Sequence, residues 1–166
     1  MIDFETKKVL FIDLDGTLIK TISGKTFPED ITDFRVQLPV LNKIKEKLPN
    51  LNGFFVVTNQ GGIGKFISAD DFEAKLSSIT NFCTDYLRCS VGDSLYCSSK
   101  DNNHSFRKPN TGMLQLMCSI WNAQNKQEML MIGDASGKPG DFSDSDKKCA
   151  ENFGIDYIDV RDFLEL

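Results

Sequence analysis

Val9-Leu10-Phe11-Ile12-Asp13-Leu14-Asp15-Gly16-Thr17-Leu18 is the stretch on which the reading of this chain turns. Four apolar residues in a row suit a strand covered on both faces. Asp13 and Asp15, two apart on extended backbone, would point the same way into one crevice. Gly16 permits a sharp turn directly after them, so the acids are expected at the carboxyl end of a strand, where α/β sheets bind ligands. An Asp-x-Asp-Gly string also opens calcium loops, but those need further oxygen ligands at alternate positions and a closing Glu. Thr17, Leu18 and Ile19 do not suit that pattern.

Outward from this stretch, the 166 residues fit one domain over 1–166, with no marked linker. Hydrophobic residues at 40% and charged ones at 26% are ordinary for a soluble globule. No apolar run approaches the ~20 residues of a membrane span, and Met1-Ile2-Asp3-Phe4-Glu5 lacks the basic-then-apolar signature of a signal peptide. An intracellular monomer without membrane contact is expected. Five cysteines without a C-x-x-C spacing indicate neither a disulfide framework nor a zinc ribbon, and His104 with Cys89 and Cys97 matches no closed zinc site. A net charge of −5 argues against a surface that coats nucleic acid broadly, though not against a small basic mouth.

Further along, Thr17 to Phe27 alternates weakly around Ser23-Gly24, which predicts a short hairpin over the site. Leu38, Leu41, Ile44 and Leu48 recur at helical spacing after Pro39. Phe54 to Val57 reads as a second buried strand, ending in Thr58-Asn59-Gln60. A helix announced by Ser68 carries Phe72, Leu76, Ile79 and Cys83 on one stripe. Ser94 to Cys97 is a weaker strand, Arg107-Lys108-Pro109 leads into a helix, and Met129 to Ile132 is a strand closed by Gly133-Asp134. The long Gly/Pro/Asp/Ser-rich stretch from Ala135 to Ser145 has the character of a working loop. A helix over Asp146 to Phe153 and an edge strand at Tyr157-Ile158 complete a mainly parallel sheet with helices on both faces, a three-layer α/β/α Rossmann-like fold.

Four strand ends or their loops thus offer Asp13 and Asp15, Thr58, Lys108, and Asp134 with Asp146. One cation, one hydroxyl and several carboxylates in one crevice are the parts needed for magnesium-assisted phosphoryl transfer. A carboxylate attacking a phosphate dianion faces two like-charge terms of about 4 kcal/mol each at 4 Å and an effective dielectric near 20. Together they would slow the step about a million-fold. Lys108 and a magnesium ion held by Asp13, Asp134 and nearby oxygens would cancel them.

The arrangement resembles the haloacid dehalogenase superfamily of phosphohydrolases along the whole chain: D-L-D-G-T at 13–17, V-T-N-Q at 57–60, R-K-P at 107–109, G-D at 133–134 and S-D-K-K-C-A-E-N-F-G at 145–154. That resemblance implies a minimal cap, Asp13 as the nucleophile that forms an aspartyl-phosphate, and Asp15 as general acid and then base. Thr58 would hold a phosphoryl oxygen and Lys108 neutralise it. Magnesium would sit among Asp13, Asp15 and Asp134, with Asp146 acting through water.

A finer set of strings is similar to the phosphatase half of polynucleotide kinase/phosphatase: Leu18 to Pro28, Asp33-Phe34-Arg35, Thr58-Asn59-Gln60-x-Gly62-Ile63-Gly64, Arg107 to Met113, and Gly133 to Pro139 with Asp141-Phe142-Ser143-x-x-Asp146. The implied reaction is removal of a 3′-phosphate from a DNA or other polynucleotide end, as in DNA end repair. No G-x-x-x-x-G-K-[ST] string is present, so a kinase half is not encoded in this stretch. Lys65 and Lys138 stand where that family tends to carry arginine, which loses bidentate phosphate contacts. Candidate substrate contacts are Lys20, Arg35, Asn59, Gln60, Lys65, Arg107 and Lys138, all in or beside the motif loops; the competing reading is that the lysines are solvated loop charges. Only 43 positions separate Asp15 from Thr58, too few for a large lid, and an open mouth admits a polymer. A small-molecule phosphatase acting on a sugar, mononucleotide or histidinol phosphate is the enzymatic alternative, and a phospho-aspartate receiver or end-binding adaptor the non-enzymatic one.

Overall fold

Period-two alternation along buried strands determines how this molecule is layered. The computed structural model describes Met1–Leu166. It runs β1 (Val9–Ile12), β2 (Ile19–Lys20), β3 (Arg35–Val36), α1 (Leu38–Lys47), β4 (Gly53–Asn59), α2 (Ala69–Leu87), β5 (Val91–Cys97), α3 (Gly112–Trp121), β6 (Met129–Gly133), α4 (Ser145–Phe153), β7 (Asp156–Asp159) and α5 (Val160–Leu164). Five of the strands form one parallel sheet in the order β5-β4-β1-β6-β7, with β1 at its centre and Phe11 in register with Phe55 and Met131.

Leu10, Ile12, Phe54, Val56, Leu130 and Ile132 point to one face and pack on α1, α2 and α5. Phe11, Phe55, Val57, Met129 and Met131 point to the other and pack on α3 and α4. Each wholly buried side chain of this size contributes about 1.5–3 kcal/mol. Two apolar layers, one on each side of β1, are what make a continuous apolar run the correct pattern for that strand. Because all five strands run the same way, their carboxyl ends share one rim, and the loops 13–18, 60–68, 98–111 and 134–144 converge there.

Three local expectations are corrected. The hairpin does not close around Ser23-Gly24: β2 pairs antiparallel with β3, so Ile19 faces Val36 and residues 21–34 form one loop. Asp33 organises that loop by accepting hydrogen bonds from Ser23 N (2.8 Å), Ser23 Oγ (2.6 Å) and Glu29 N (2.9 Å), a long-range role that a turn signal cannot announce. The strand at 94–97 begins earlier, at Val91; it is an edge strand, and Gly92 and Asp93 obscure its pattern, the latter taking a hydrogen bond from Trp121 Nε1 at 3.0 Å. Finally, β1 stops at Ile12, so Asp13 and Asp15 are not successive inward positions of one extended strand.

Phe11 is fully enclosed against Phe55 and Phe153 at the centre of the sheet. Phe11→Ala should therefore lower unfolding free energy by about 3–5 kcal/mol, read as a fall in the denaturant midpoint with an unchanged m-value.

Candidate active site

Lys108 arrives at the sheet rim from the loop before α3, and its Nζ donates to three oxygens: Asp13 Oδ1 at 2.7 Å, Asp146 Oδ1 at 2.7 Å and the Val57 carbonyl at 2.8 Å. Asp13 follows the last residue of β1, and its backbone N–H extends the ladder to the Ile132 carbonyl at 3.0 Å. Asp146 lies in the first turn of α4, and its second oxygen accepts from Ala135 N at 3.1 Å. The Lys108 backbone is itself clamped, because Asn59 Oδ1 accepts from its N–H (2.9 Å) while Asn59 Nδ2 donates to its carbonyl (3.0 Å). All three charged groups are buried.

Asp134 closes the group. One oxygen each from Asp13, Asp134 and Asp146 lies within 4.8 Å of the others. Two glycines make room for them: a Cβ on Gly133 would stand 2.3 Å from Asp146 Oδ2, and one on Gly16, whose φ is +81°, 2.1 Å from Asp134 Oδ2. Gly133 and Gly16 are thus steric requirements of acids distant in the chain, Asp146 and Asp134 respectively.

Three carboxylates face one ammonium here, an excess of negative charge that shows in the titration of the site. Burial, assisted by Asp146 and Asp134, pushes Asp13 well above the ordinary carboxylate range, and Lys108 only partly opposes it. Burial and then Asp146 raise Asp134 to about 6. Burial works against the charge of Lys108, yet Asp13 and Asp146 together hold it above the ordinary lysine range. A cluster of hard oxygen donors with unbalanced negative charge fits a hard divalent cation, and Asp13, Asp134 and Asp146 are the side chains able to hold one.

The remaining expected residues divide. Asp15 stands outside that three-acid set: the Leu14 carbonyl turns the chain by accepting from Leu18 and Ile19 (both 3.0 Å), and the exposed Asp15 accepts from Gln60 Nε2 at 2.6 Å. Gln60 also donates to Thr58 Oγ1 at 3.0 Å, so it joins the buried hydroxyl to the exposed acid. Lys20, Arg35 and Lys65 are exposed on the rim without an ion pair. Arg107 turns inward, to the Ser99 carbonyl (3.1 Å) and Asn102 Oδ1 (3.1 Å), and braces its own loop. Lys138 pairs with Asp162 at 2.6 Å on the surface. Cys97 lies 3.6 Å from His104 Nδ1, and Cys89 packs instead beside the α2 layer.

One supporting group escaped the sequence reading. Arg161 in α5 grips Asp141 with Nη1 and Nη2 at 2.9 and 3.1 Å and reaches the Asp134 carbonyl at 3.3 Å. Asp141 in turn accepts from Ser136 N (3.1 Å) and Lys138 N (3.0 Å), which fixes the loop between the two acids. Asp141 was visible as part of the D-F-S string, whereas nothing in sequence marks Arg161.

A central parallel strand delivering an acid to a lysine and two further acids on neighbouring loops is a site on a haloacid dehalogenase-type fold. A protein from Mesorhizobium loti described as a HAD-like phosphatase shares that fold, with a TM-score of 0.65 at 24% identity over 90% of this chain and 69% of the other. Residues 8–163 match the family described as Polynucleotide kinase 3 phosphatase, and the chain belongs to that family. The bifunctional polynucleotide phosphatase/kinase of Schizosaccharomyces pombe is 35% identical over 163 residues, covering 96% of this chain and 38% of its own length. An uncharacterised 20.8 kDa protein of Autographa californica nuclear polyhedrosis virus is 32% identical over 166 residues, covering 96% of this chain and 86% of its own. The histidine biosynthesis bifunctional protein HisB of Legionella pneumophila is 30% identical over 174 residues, covering 93% and 41%. The chain therefore spans well under half the length of the S. pombe and Legionella relatives.

The raised carboxyl of Asp134 has a consequence for stability. In metal-free protein the folded state keeps a proton on Asp134 up to about pH 6, whereas the unfolded chain releases it near 3.8. At this carboxyl the folded state binds more protons in that window, so the stability that Asp134 contributes fades as pH rises from about 4 to about 6. Relative to Asp134→Asn, the denaturant midpoint of the wild-type protein measured in chelator should fall as pH rises across this range, and saturating magnesium should flatten or reverse that difference.

Proposed function

We propose that this chain is a magnesium-dependent phosphomonoesterase that removes the 3′-phosphate from the end of DNA or another polynucleotide and leaves a 3′-hydroxyl. The observation that carries the reaction is the bridge from one buried ammonium, Lys108, to Asp13 and Asp146. It leaves Asp13 with an oxygen free of Lys108, held rigidly at the mouth of the sheet. Bound magnesium would supply charge neutralisation at the phosphoryl oxygens; Asp13, Asp134 and Asp146 are the residues that would hold it.

The free oxygen of Asp13 attacks phosphorus, the bond from phosphorus to the 3′ oxygen breaks, and Asp15 gives that oxygen its proton. Asp15 then takes a proton from water, whose oxygen attacks the aspartyl-phosphate. Inorganic phosphate leaves and the Asp13 carboxylate is restored. Thr58 positions a phosphoryl oxygen, and Gln60 holds Asp15 at the edge of the site, where solvent can exchange its proton.

The polymer substrate is supported by the rim. Phe27, Phe66 and Phe142 stand on three separate rim loops at 80%, 79% and 92% exposure. Lys20, Arg35 and Lys65 accompany them. Aromatic faces beside cations suit unpaired bases on a phosphate backbone, with stacking worth about 1–3 kcal/mol per base. Loop 21–34 is the longest segment between β1 and α1 that lies beside the mouth. The likeness to HisB favours one further reading, a small phosphomonoester such as histidinol phosphate, a mononucleotide or a sugar phosphate.

Phosphate release separates these readings. A 3′-phosphorylated oligonucleotide should turn over with magnesium, a 5′-phosphorylated one should not, and chelator should stop the reaction. Asp13→Asn should reduce the rate on the order of 10⁴-fold or more. Faster turnover of any of the small esters than of the oligonucleotide would select the second reading, and full activity in Asp13→Asn would refute the mechanism.

A further inference from the structure

Three lysines are buried in this molecule: Lys7, Lys75 and Lys108. Two are fully engaged, Lys7 by Asp156 (2.6 Å) and the Gln127 carbonyl, and Lys108 by its three oxygens. Lys75, in α2, is different. It is 9% exposed and makes no hydrogen bond or ion pair; its Nζ rests over the Phe34 ring, 4.7 Å from the centroid. A desolvated ammonium with unused N–H donors is costly to keep. Thr17 Oγ1 is the one wholly enclosed side-chain polar atom without a partner, so the Lys75 ammonium retains an opening to solvent.

The acids whose charge reaches Lys75 are Asp15, Asp33 and Asp30; burial holds the lysine below its ordinary range while they oppose that shift. Each is already occupied. Asp15 accepts from Gln60, Asp33 from Ser23 and Glu29, and Asp30 from Thr32. Phe34 ends loop 21–34, which carries Phe27, and α2 continues from loop 60–68, which carries Lys65 and Phe66. The ammonium therefore lies where these two rim loops meet, near Asp15, with donors that no protein group takes.

We propose that Lys75 is the strand anchor of the site: its ammonium donates to a non-bridging oxygen of an internucleotide phosphodiester in the strand whose 3′-phosphate faces Asp13. This rests on the polynucleotide reading above and adds a reason for it, because a lone phosphate monoester has no second phosphate to offer. Lys20 and Lys65 are exposed, Lys65 beside the exposed Phe66 ring, and attract a strand through charge that solvent screens. A largely buried ammonium held on an aromatic face, with its remaining opening toward the rim, gives a directional, charge-assisted bond.

The test uses Lys75→Met, which keeps the apolar stem over Phe34, with Lys75→Gln as a second neutral variant and Lys75→Arg to restore the charge. Substrates are a 3′-phosphorylated pentanucleotide and a 3′-mononucleotide. For the pentanucleotide, both neutral variants should raise KM about tenfold with kcat within about twofold. The slope of log(kcat/KM) against log salt should shrink in magnitude by about 0.7, the loss of one single-strand phosphate contact. The mononucleotide should lose several-fold less, and Lys75→Arg should recover most of the oligonucleotide KM. Equal losses on both substrates, a loss confined to kcat, or an unchanged salt slope would overturn the anchor. Wild-type protein that hydrolyses the mononucleotide and not the pentanucleotide would overturn the polynucleotide reading and the anchor with it, and that failure is recognised without any variant.

Discussion

A single ammonium set between two buried carboxylates governs the rest of this molecule. Lys108, on the loop leading to α3, draws together the end of β1 and the start of α4, two segments whose acids would otherwise repel one another. Buried charges persist only when they are paired and hydrogen-bonded with good geometry. Here the geometry is enforced twice over, by the Asn59 clamp on the Lys108 backbone and by the Ala135 amide on Asp146. The pair is nevertheless incomplete, because Asp134 adds a third carboxylate without a second cation. That imbalance is of the sign that fits a divalent cation.

The support for this centre comes from further away than the centre itself. Arg161, on the last helix, holds Asp141 and the carbonyl of Asp134, so the loop after β6 is braced from the far edge of the sheet. The bracing uses charges that a sequence places at the mouth. Lys138 is engaged in a surface pair with Asp162 and Arg107 in its own loop, while Lys20, Arg35, Lys65 and the buried Lys75 make no ion pair. An acidic protein thus presents a small basic rim, with the exposed Phe27, Phe66 and Phe142 among its cations.

The fold and the centre were legible in sequence to different depths. Apolar runs at 9–12, 54–57 and 129–132 announced central strands because those strands are covered on both sides. The edge strand at 91–97 was half hidden, since Gly92 is needed where Thr84 of α2 packs against the strand and Asp93 is held by Trp121, two tertiary contacts that break its apolar pattern. Asp13, Lys108, Asp134 and Asp146 were named from motif order alone, and Gly16 and Gly133 carried a steric meaning that only the packing of the acids against them reveals.

The sequence by itself determined which strands are buried, that their polar ends would converge, and which acids and lysine would meet, since alternation and strand direction are local properties with a global result. The tertiary structure decided what each charge does. Asp15 turns out to the edge because the chain leaves extended geometry after Asp13, Asn59 becomes a clamp, Lys138 is drawn to Asp162, and Lys75 is left without a partner. Those outcomes depend on side chains far apart in the chain competing for the same few hydrogen bonds, and a one-dimensional pattern does not record who wins.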